Sequence, residues 1–365
     1  MTRILVECYE HQPSYELNVQ GFKQFSKVIP LEVRARLTKE ISPSDIEWCD
    51  VLLDIRGGNP LSAFVVNQAK KAGRKVFLSL DDDLMEFYPT SYEGNVFRDS
   101  LFRVMRDADC ILTSSQYLGE KYKKKYGINY VVINTVVDRE KFKVLPGPIG
   151  KEEIKLLYAA GSQHVLFFDT MIKPILNRLY DKYKESISLT IIGPNIDIAD
   201  IKMRIDKMVS MPFDKYRSFM DSNHFDIGLA PLFDSEFCRS KYFNKYLEYS
   251  INSICGIYSN VMPYTLVVKN GVNGLLVDND PNAWFGAICK LVDNPSYLSQ
   301  FVINARKHIL NNFSLERIVS EVNSDIPDLF SFKAEACSNN FCRFMKLRFL
   351  YYALKRRVMS KFYRH

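Results

Sequence analysis

Three stretches of the chain combine residue types that bind or move charged groups. Gly161-Ser162-Gln163-His164 stands between an apolar run and a segment of helical spacing. A small residue at such a turn lets backbone N–H groups at a helix start approach a phosphate, and His164 adds a side-chain donor. A plain strand-to-helix turn accounts for the same residues. The stretch 239–249 (RSKYFNKYLEY) places Lys241, Lys245 and Glu248 at i, i+4 and i+7, one face of a continuous helix. Two like charges at that spacing repel mildly unless an anion lies between them. A diphosphate suits the two amines and sugar hydroxyls suit Glu248; a solvated Lys–Glu face is the plain alternative. Asp81-Asp82-Asp83 follows the apolar run KVFLSL. Three carboxylates there suit a metal, a helix N-cap ahead of Leu84–Phe87, or a ligand contact in a cleft.

Other features are plainer. Lys269-Asn270-Gly271-Val272-Asn273-Gly274 reads as a glycine turn, and Lys121 with Lys123-Lys124-Lys125 as a helix end favoured by its dipole. The eight cysteines form no CxxC pair and the five histidines are scattered, so no metal-ligand spacing appears. Buried reduced thiols are expected. No P-loop, GxSxG, HExxH, kinase set or GxGxxG occurs.

Short apolar runs must position these residues. Residues 3–8, 51–55, 75–80, 110–113 and 131–133 read as strands, with helical spacing at 61–72, 95–107 and 115–125. Residues 144–153 (VLPGPIGKEE) break the pattern and read as a linker. Strand-like runs resume at 154–160, 187–192, 225–230, 254–258 and 275–277. Helices are expected at 165–184, 214–222, 239–252, 281–293, 296–312 and 314–325. This alternation predicts two successive parallel α/β units, with ligands at the carboxyl ends of strands.

The stretches 225–250 (FDIGLAPLFDSEFCRSKYFNKYLEYS), 267–295 and 309–316 resemble the C-terminal half of GT-B-fold glycosyltransferases. The likeness is to the large retaining family of bacterial capsule, O-antigen and teichoic-acid enzymes. Residues 157–169 resemble the start of that domain; 79–84, 111–118 and 132–142 resemble its N-terminal partner. The resemblance implies an α/β fold of two Rossmann-like domains facing across a cleft. Residues 1–145 would be the acceptor-side domain, 146–330 the nucleotide-sugar domain and 331–365 a basic amphipathic tail. By position, Glu248 matches the residue that holds the nucleotide ribose, and Lys245 and Lys241 the bases near the diphosphate. Gly161 and Ser162 match the phosphate-side turn, with His164 standing for a usual arginine. Tyr264 and Thr265 match the loop near the transferred sugar. Ser240 takes the place of a second glutamate. His164 and Asp82 are the candidate catalytic side chains.

The reaction implied is transfer of a sugar from a nucleotide diphosphate donor to a hydroxyl of a glycan or lipid-linked glycan in surface-polysaccharide synthesis. Anomeric configuration would be retained, with no metal or other cofactor. An epimerase acting on the sugar nucleotide, or a non-catalytic module of an assembly complex, are the alternatives.

The net charge of +7 has an address. Residues 332–365 hold nine Lys/Arg and one acid, Glu335, so the rest is close to neutral and a nucleic-acid partner is not expected. Over 341–364, Leu347, Leu350, Tyr351, Leu354, Val358 and Phe362 fall on one helical stripe flanked by cations. Docking on the body or another subunit, and contact with a membrane surface, both fit. The apolar run at the N-terminus is too short for a signal peptide and no run reaches about 18 apolar residues, so a cytoplasmic chain is expected, peripheral on the inner face of the membrane if the tail contacts it rather than the body or another subunit.

Overall fold

The computed structural model describes residues 1–137, 139–144, 153–161, 164–193 and 195–362, with backbone alone at 139 and 355–362. The expected linker at 144–153 thus falls largely outside the described residues, as do Ser162 and Gln163. The chain divides into two compact units, 1–136 with 315–365, and 137–314.

In the first unit, strands β1 (Thr2–Cys8), β2 (Leu31–Leu37), β3 (Val51–Ile55), β4 (Lys75–Leu80), β5 (Cys110–Thr113) and β6 (Tyr130–Val132) form a sheet. Helices α1 (Pro13–Phe25), α2 (Pro43–Trp48), α3 (Pro60–Lys71), α4 (Leu84–Phe87), α5 (Tyr92–Asp107) and α6 (Gln116–Tyr126) connect them. The order is β2-β1-β3-β4-β5-β6, all parallel. Crossover helices cover both faces, which is why β3 is buried along its whole length. The helix starts are written locally: Asn59 accepts from the Leu61 N–H at 2.9 Å, with Pro60 at the first helical position.

The second unit repeats the plan. Strands β7 (Ile154–Ala159), β8 (Ile187–Gly193), β9 (Arg204–Val209), β10 (Ile227–Ala230), β11 (Cys255–Ser259) and β12 (Leu275–Val277) are ordered β12-β11-β10-β7-β8-β9, again parallel. Around them lie α7 (Val165–Phe167), a π turn at Phe168–Ile172, α8 (Lys173–Tyr183), α9 (Phe213–Ser222), α10 (Glu236–Arg239), α11 (Asn244–Ile251), α12 (Pro281–Asp293) and α13 (Ser296–Asn312).

Three C-terminal helices complete the first unit: α14 (Leu315–Asp325), α15 (Pro327–Ser331) and α16 (Asn339–Phe362). The return is fixed by packing. Phe330 is buried, its ring 5.6 Å from that of Phe25, and its carbonyl accepts from the Thr2 hydroxyl at 2.7 Å. Helix α16 docks through Phe341, Met345, Phe349 and Tyr352. Met345 is fully buried, and the Phe64 ring of α3 lies 5.0 Å from Phe349 and 4.4 Å from Tyr352.

The expected helix over 239–252 is broken. Helix α10 ends at Arg239, residues 240–243 are not helical, and α11 starts at Asn244. Tyr242 and Phe243 are both buried, their rings 4.0 Å apart, and this packing of two adjacent aromatics holds the chain out of the helix.

Candidate functional site

In each sheet the chain leaves one strand toward one edge and later returns to that strand's other side. This switch point lies between β1 and β3 in the first unit and between β7 and β10 in the second. Loops at the carboxyl ends of those strands diverge there and leave a crevice. The singled-out residues cluster at both places.

In the second unit, His164 follows β7, and Lys241, Lys245 and Glu248 follow β10. Lys241 lies in the 240–243 break, its Nζ 4.4 Å from the centre of the Phe237 ring. The expectation that Lys241 and Lys245 stack at i, i+4 on one helix is therefore corrected; they approach one region from different segments. Lys245 and Glu248 do share α11, one turn apart. Lys245 Nζ lies 2.9 Å from Glu248 Oε1 and 3.2 Å from Oε2. The Tyr216 hydroxyl of α9 donates to Glu248 Oε1 at 2.6 Å. Burial first, and then the Glu248 charge, push the Tyr216 phenol well above its ordinary range, so it stays a donor. Both members of the Lys245–Glu248 pair keep about a quarter of their side-chain surface exposed. A ligand can reach them.

His164 stands at the start of α7, its N–H donating to Gly161 O at 3.0 Å and its carbonyl accepting from Tyr158 Oη at 2.8 Å. Its ring packs 4.9 Å from Phe167. Burial, and then the charges of Lys241 and Lys245, lower its imidazole to about 4. Three basic groups thus converge, and the imidazole is neutral at pH 7. An anion placed among them offsets the lysine charges and raises the His164 value. In an NMR titration of the free chain the His164 resonance should show its midpoint near 4. Saturating inorganic pyrophosphate should move it up by about one unit or more; an unmoved midpoint separates the imidazole from any anion at this crevice.

A floor of tyrosines holds α11 against the sheet. Gly228 of β10 and Gly256 of β11 are register partners. A Cβ on Gly228 would stand 2.4 Å from the Tyr249 ring, and one on Gly256 2.0 Å from Tyr258 Oη. The two glycines make room for those rings, and Tyr249 lies one residue beyond Glu248. Tyr264, after the cis Met262–Pro263 peptide, is buried with its ring 4.8 Å from Tyr258, while Thr265 is exposed. The Glu248 charge acts on both Tyr249 and Tyr264. Gly161 is exposed, and a Cβ there would meet nothing within 4 Å. Ser240 is buried and donates to Glu236 O at 3.0 Å. The Lys269–Gly274 loop is a scaffold: buried Asn273 donates to Tyr246 Oη at 2.9 Å and accepts from Lys269 N at 2.7 Å.

In the first unit the three aspartates divide their roles. Asp83 is fully buried as the N-cap of α4, with Tyr122 donating to it at 2.9 Å, and it forms an ion pair with Lys121 Nζ at 2.7 Å. Asp81 and Asp82 face Arg56 of the β3 loop, at 3.6 and 3.7 Å, and Ser14 donates to Asp81 at 2.5 Å. Arg56 takes φ 71°, a left-handed conformation that costs a side-chain-bearing residue free energy. Ser14, Arg56, Asp81 and Asp82 therefore gather at the β1/β3 switch point. Among the described residues no group of three His, Cys, Asp or Glu side chains is placed to hold a metal ion.

Sequence reasoning missed Tyr216 and Arg56. Tyr216 stands 32 residues from Glu248, and no local pattern links them. Arg56 had a weak signal, the Arg-Gly-Gly ending of β3.

No family model matches the sequence. No curated protein matches it either. Solved structures do. Sucrose-phosphate synthase from Thermosynechococcus elongatus is 13% identical over 90% of this chain and 99% of its own, with a TM-score of 0.62. HepE from Anabaena, in complex with UDP and glucose, is 12% identical over 90% and 100%, with a TM-score of 0.64. A glycosyltransferase from Rickettsia africae is 13% identical over 90% and 98%, with a TM-score of 0.58. At such identities the likeness is one of fold, and with two parallel six-stranded α/β units in one chain, that fold is GT-B.

Proposed function

We propose that the chain is a glycosyltransferase that moves a sugar from a nucleoside diphosphate donor to a hydroxyl of a glycan or lipid-linked glycan in surface-polysaccharide synthesis. The observation that carries this is the convergence of His164, Lys241 and Lys245 beside Glu248 at the β7/β10 switch point. HepE, which shares the fold, was solved with UDP and glucose, and this supports a sugar-nucleotide donor.

In this reading Glu248 accepts from the ribose hydroxyls while Tyr216 and Lys245 hold its carboxylate in place. Lys241, Lys245 and the neutral His164 surround the diphosphate. The bond from the anomeric carbon to the diphosphate oxygen breaks, and its electron pair leaves with the diphosphate. The acceptor oxygen bonds to the anomeric carbon, and its proton passes to a base or to the departing phosphate. The two ammonium groups and the imidazole N–H stabilise the charge that develops on the leaving oxygen, so no metal or other cofactor is required. The Gly161–Ser162 turn would lie on the phosphate side, and Tyr264 and Thr265 near the sugar. Asp82, held by Arg56, is the candidate base on the acceptor side, with retention of configuration.

The test is donor turnover over an acceptor panel in excess EDTA. Transfer that persists supports the reading, and complete loss on chelation removes its metal-independent part. A donor-only NMR time course that shows epimerisation replaces transfer with an isomerase. Calorimetry without heat from any UDP- or GDP-sugar favours a non-catalytic module.

A further inference from the structure

Helix α16 carries two apolar faces, and the body of the first unit uses one. At about 100° per residue, Phe341, Met345, Phe349 and Tyr352 fall together, and these pack on the core and on Phe64. Phe344, Leu347, Leu350, Tyr351 and Leu354 fall on the remaining face, each 51–68% exposed. Isolated exposed apolar residues are ordinary, but five aligned on one helix form a patch that calls for a partner.

The charge on this helix identifies that partner. Residues 339–362 contain seven Lys/Arg and no carboxylate. Arg343 lies in line with the stripe one turn before Leu347, and Lys346 borders it; both are exposed. Arg348, between the two faces, reaches Gln68 at 3.4 Å. Beyond the docked flank, Phe64 and Tyr352 line a cleft of about 610 Å³ shared with Asn67, Arg103, Arg106 and Asp107. Arg103 and Arg106 are exposed there, and Arg106 is paired with Asp107 at 2.9 Å, so Arg103 is the group that carries positive charge onto the body. A second copy of the helix laid on the stripe would bring like charges together. Among the described residues no helix is long and apolar enough to cross a membrane. An apolar stripe bordered by cations is suited to lie along an anionic bilayer, with the apolar side chains among the acyl chains and the cations at the headgroups.

We propose that the outward face of α16 is a docking surface for an anionic lipid bilayer, centred on Leu347, Tyr351 and Leu354. It holds the first unit at a membrane surface with the helix in the plane. The claim does not depend on the transfer reaction, and its test uses no activity.

The full chain is sedimented with vesicles of phosphatidylcholine alone and with vesicles containing about 30% phosphatidylglycerol. The chain should pellet with the anionic vesicles, with binding to neutral ones weaker by about tenfold or more. Leu347→Glu/Leu354→Glu should remove binding while leaving the thermal midpoint unchanged, because both side chains are more than half exposed. Arg343→Glu/Lys346→Glu should abolish the preference for anionic lipid. The proposal falls if the chain stays in the supernatant with both vesicle types, or if the double leucine variant pellets like the parent. It also falls if light scattering shows a parent dimer that this variant makes monomeric, since a second copy then covers the stripe.

Discussion

Glu248→Ala should weaken binding of UDP or GDP by about tenfold to a hundredfold, read by calorimetry, and lower kcat/KM for transfer by at least as much. The magnitude follows from what the carboxylate does. It accepts from Lys245 at 2.9 Å and from Tyr216 at 2.6 Å, and still presents surface to a ligand. Hydrogen bonds to a charged acceptor contribute about 1.5–3 kcal/mol each, and about 1.4 kcal/mol is tenfold in affinity. Removing it would lose the ribose contacts proposed for it and also frees Lys245 and Tyr216 to move from their positions. The thermal midpoint should change little, because a partly exposed ion pair adds only about 0–1 kcal/mol to stability. Tyr216→Phe separates the two effects: it keeps the carboxylate but removes one support, so affinity should fall by a smaller factor. Unchanged binding in Glu248→Ala would remove the site assignment, and the β7/β10 crevice would need another ligand.

The parts of this arrangement that were legible in the sequence share a cause. Strands buried on both faces are short apolar runs, and β3, β4 and β5 appear with the bounds expected, as does the three-residue edge strand β12, whose LLV is apolar although half-buried. The edge strands β2 and β9 were not expected. LEVRARL and RIDKMV lie at sheet edges, where exposed faces admit Arg34, Arg36, Arg204 and Lys207 and hide the apolar pattern. The break at 240–243 was hidden for the opposite reason. Tyr242, Phe243, Tyr246 and Leu247 repeat with helical spacing, so a packing decision overrides the local pattern without marking it. Lys241 and Lys245 were paired through an i, i+4 helical geometry that the chain does not use. In α16 the helical period marks the outward stripe and leaves Phe341, Met345, Phe349 and Tyr352 off it; their packing on the first unit accounts for that second face. Contacts such as Phe25 to Phe330 leave no local trace. The site was readable where one segment carries it, as in Lys245 and Glu248, and unreadable where distant segments meet, as with Tyr216.

Thermal stability of the first unit should fall as pH rises above the ordinary carboxylate range, and Asp54→Asn should flatten that fall. Glu7 and Asp54 are register partners on β1 and β3, both fully buried, directly beneath the Arg56 turn. The Thr38 hydroxyl donates to Glu7, and two buried carboxyls facing each other do not both ionise, so one of them keeps a proton. Burial raises Glu7, and burial together with the Glu7 charge raises Asp54 well above its ordinary range. In the unfolded chain both groups lose their protons near pH 4. Between that pH and the raised folded value, the folded state holds a proton that the unfolded state does not. Each pH unit in that window therefore lowers stability by about 1.4 kcal/mol per proton, and the loss stops once pH passes the folded value. Asp50 acts with the opposite sign: its hydrogen bonds with Arg3 outweigh burial and hold it at about 2, so its contribution is lost as pH falls from about 4 toward 2. The first unit should thus be most stable at mildly acidic pH. In Asp54→Asn the amide donates to an ionised Glu7 and no shared proton is needed. Trp48 belongs to the first unit and Trp284 to the second, so in a Trp284→Phe background tryptophan fluorescence follows the first unit alone. From pH 5 to 8 the midpoint of that background should drop by several degrees, and the added Asp54→Asn change should remove about half of the drop or more. Equal slopes in the two proteins would show that the pair carries no shared proton in the folded state.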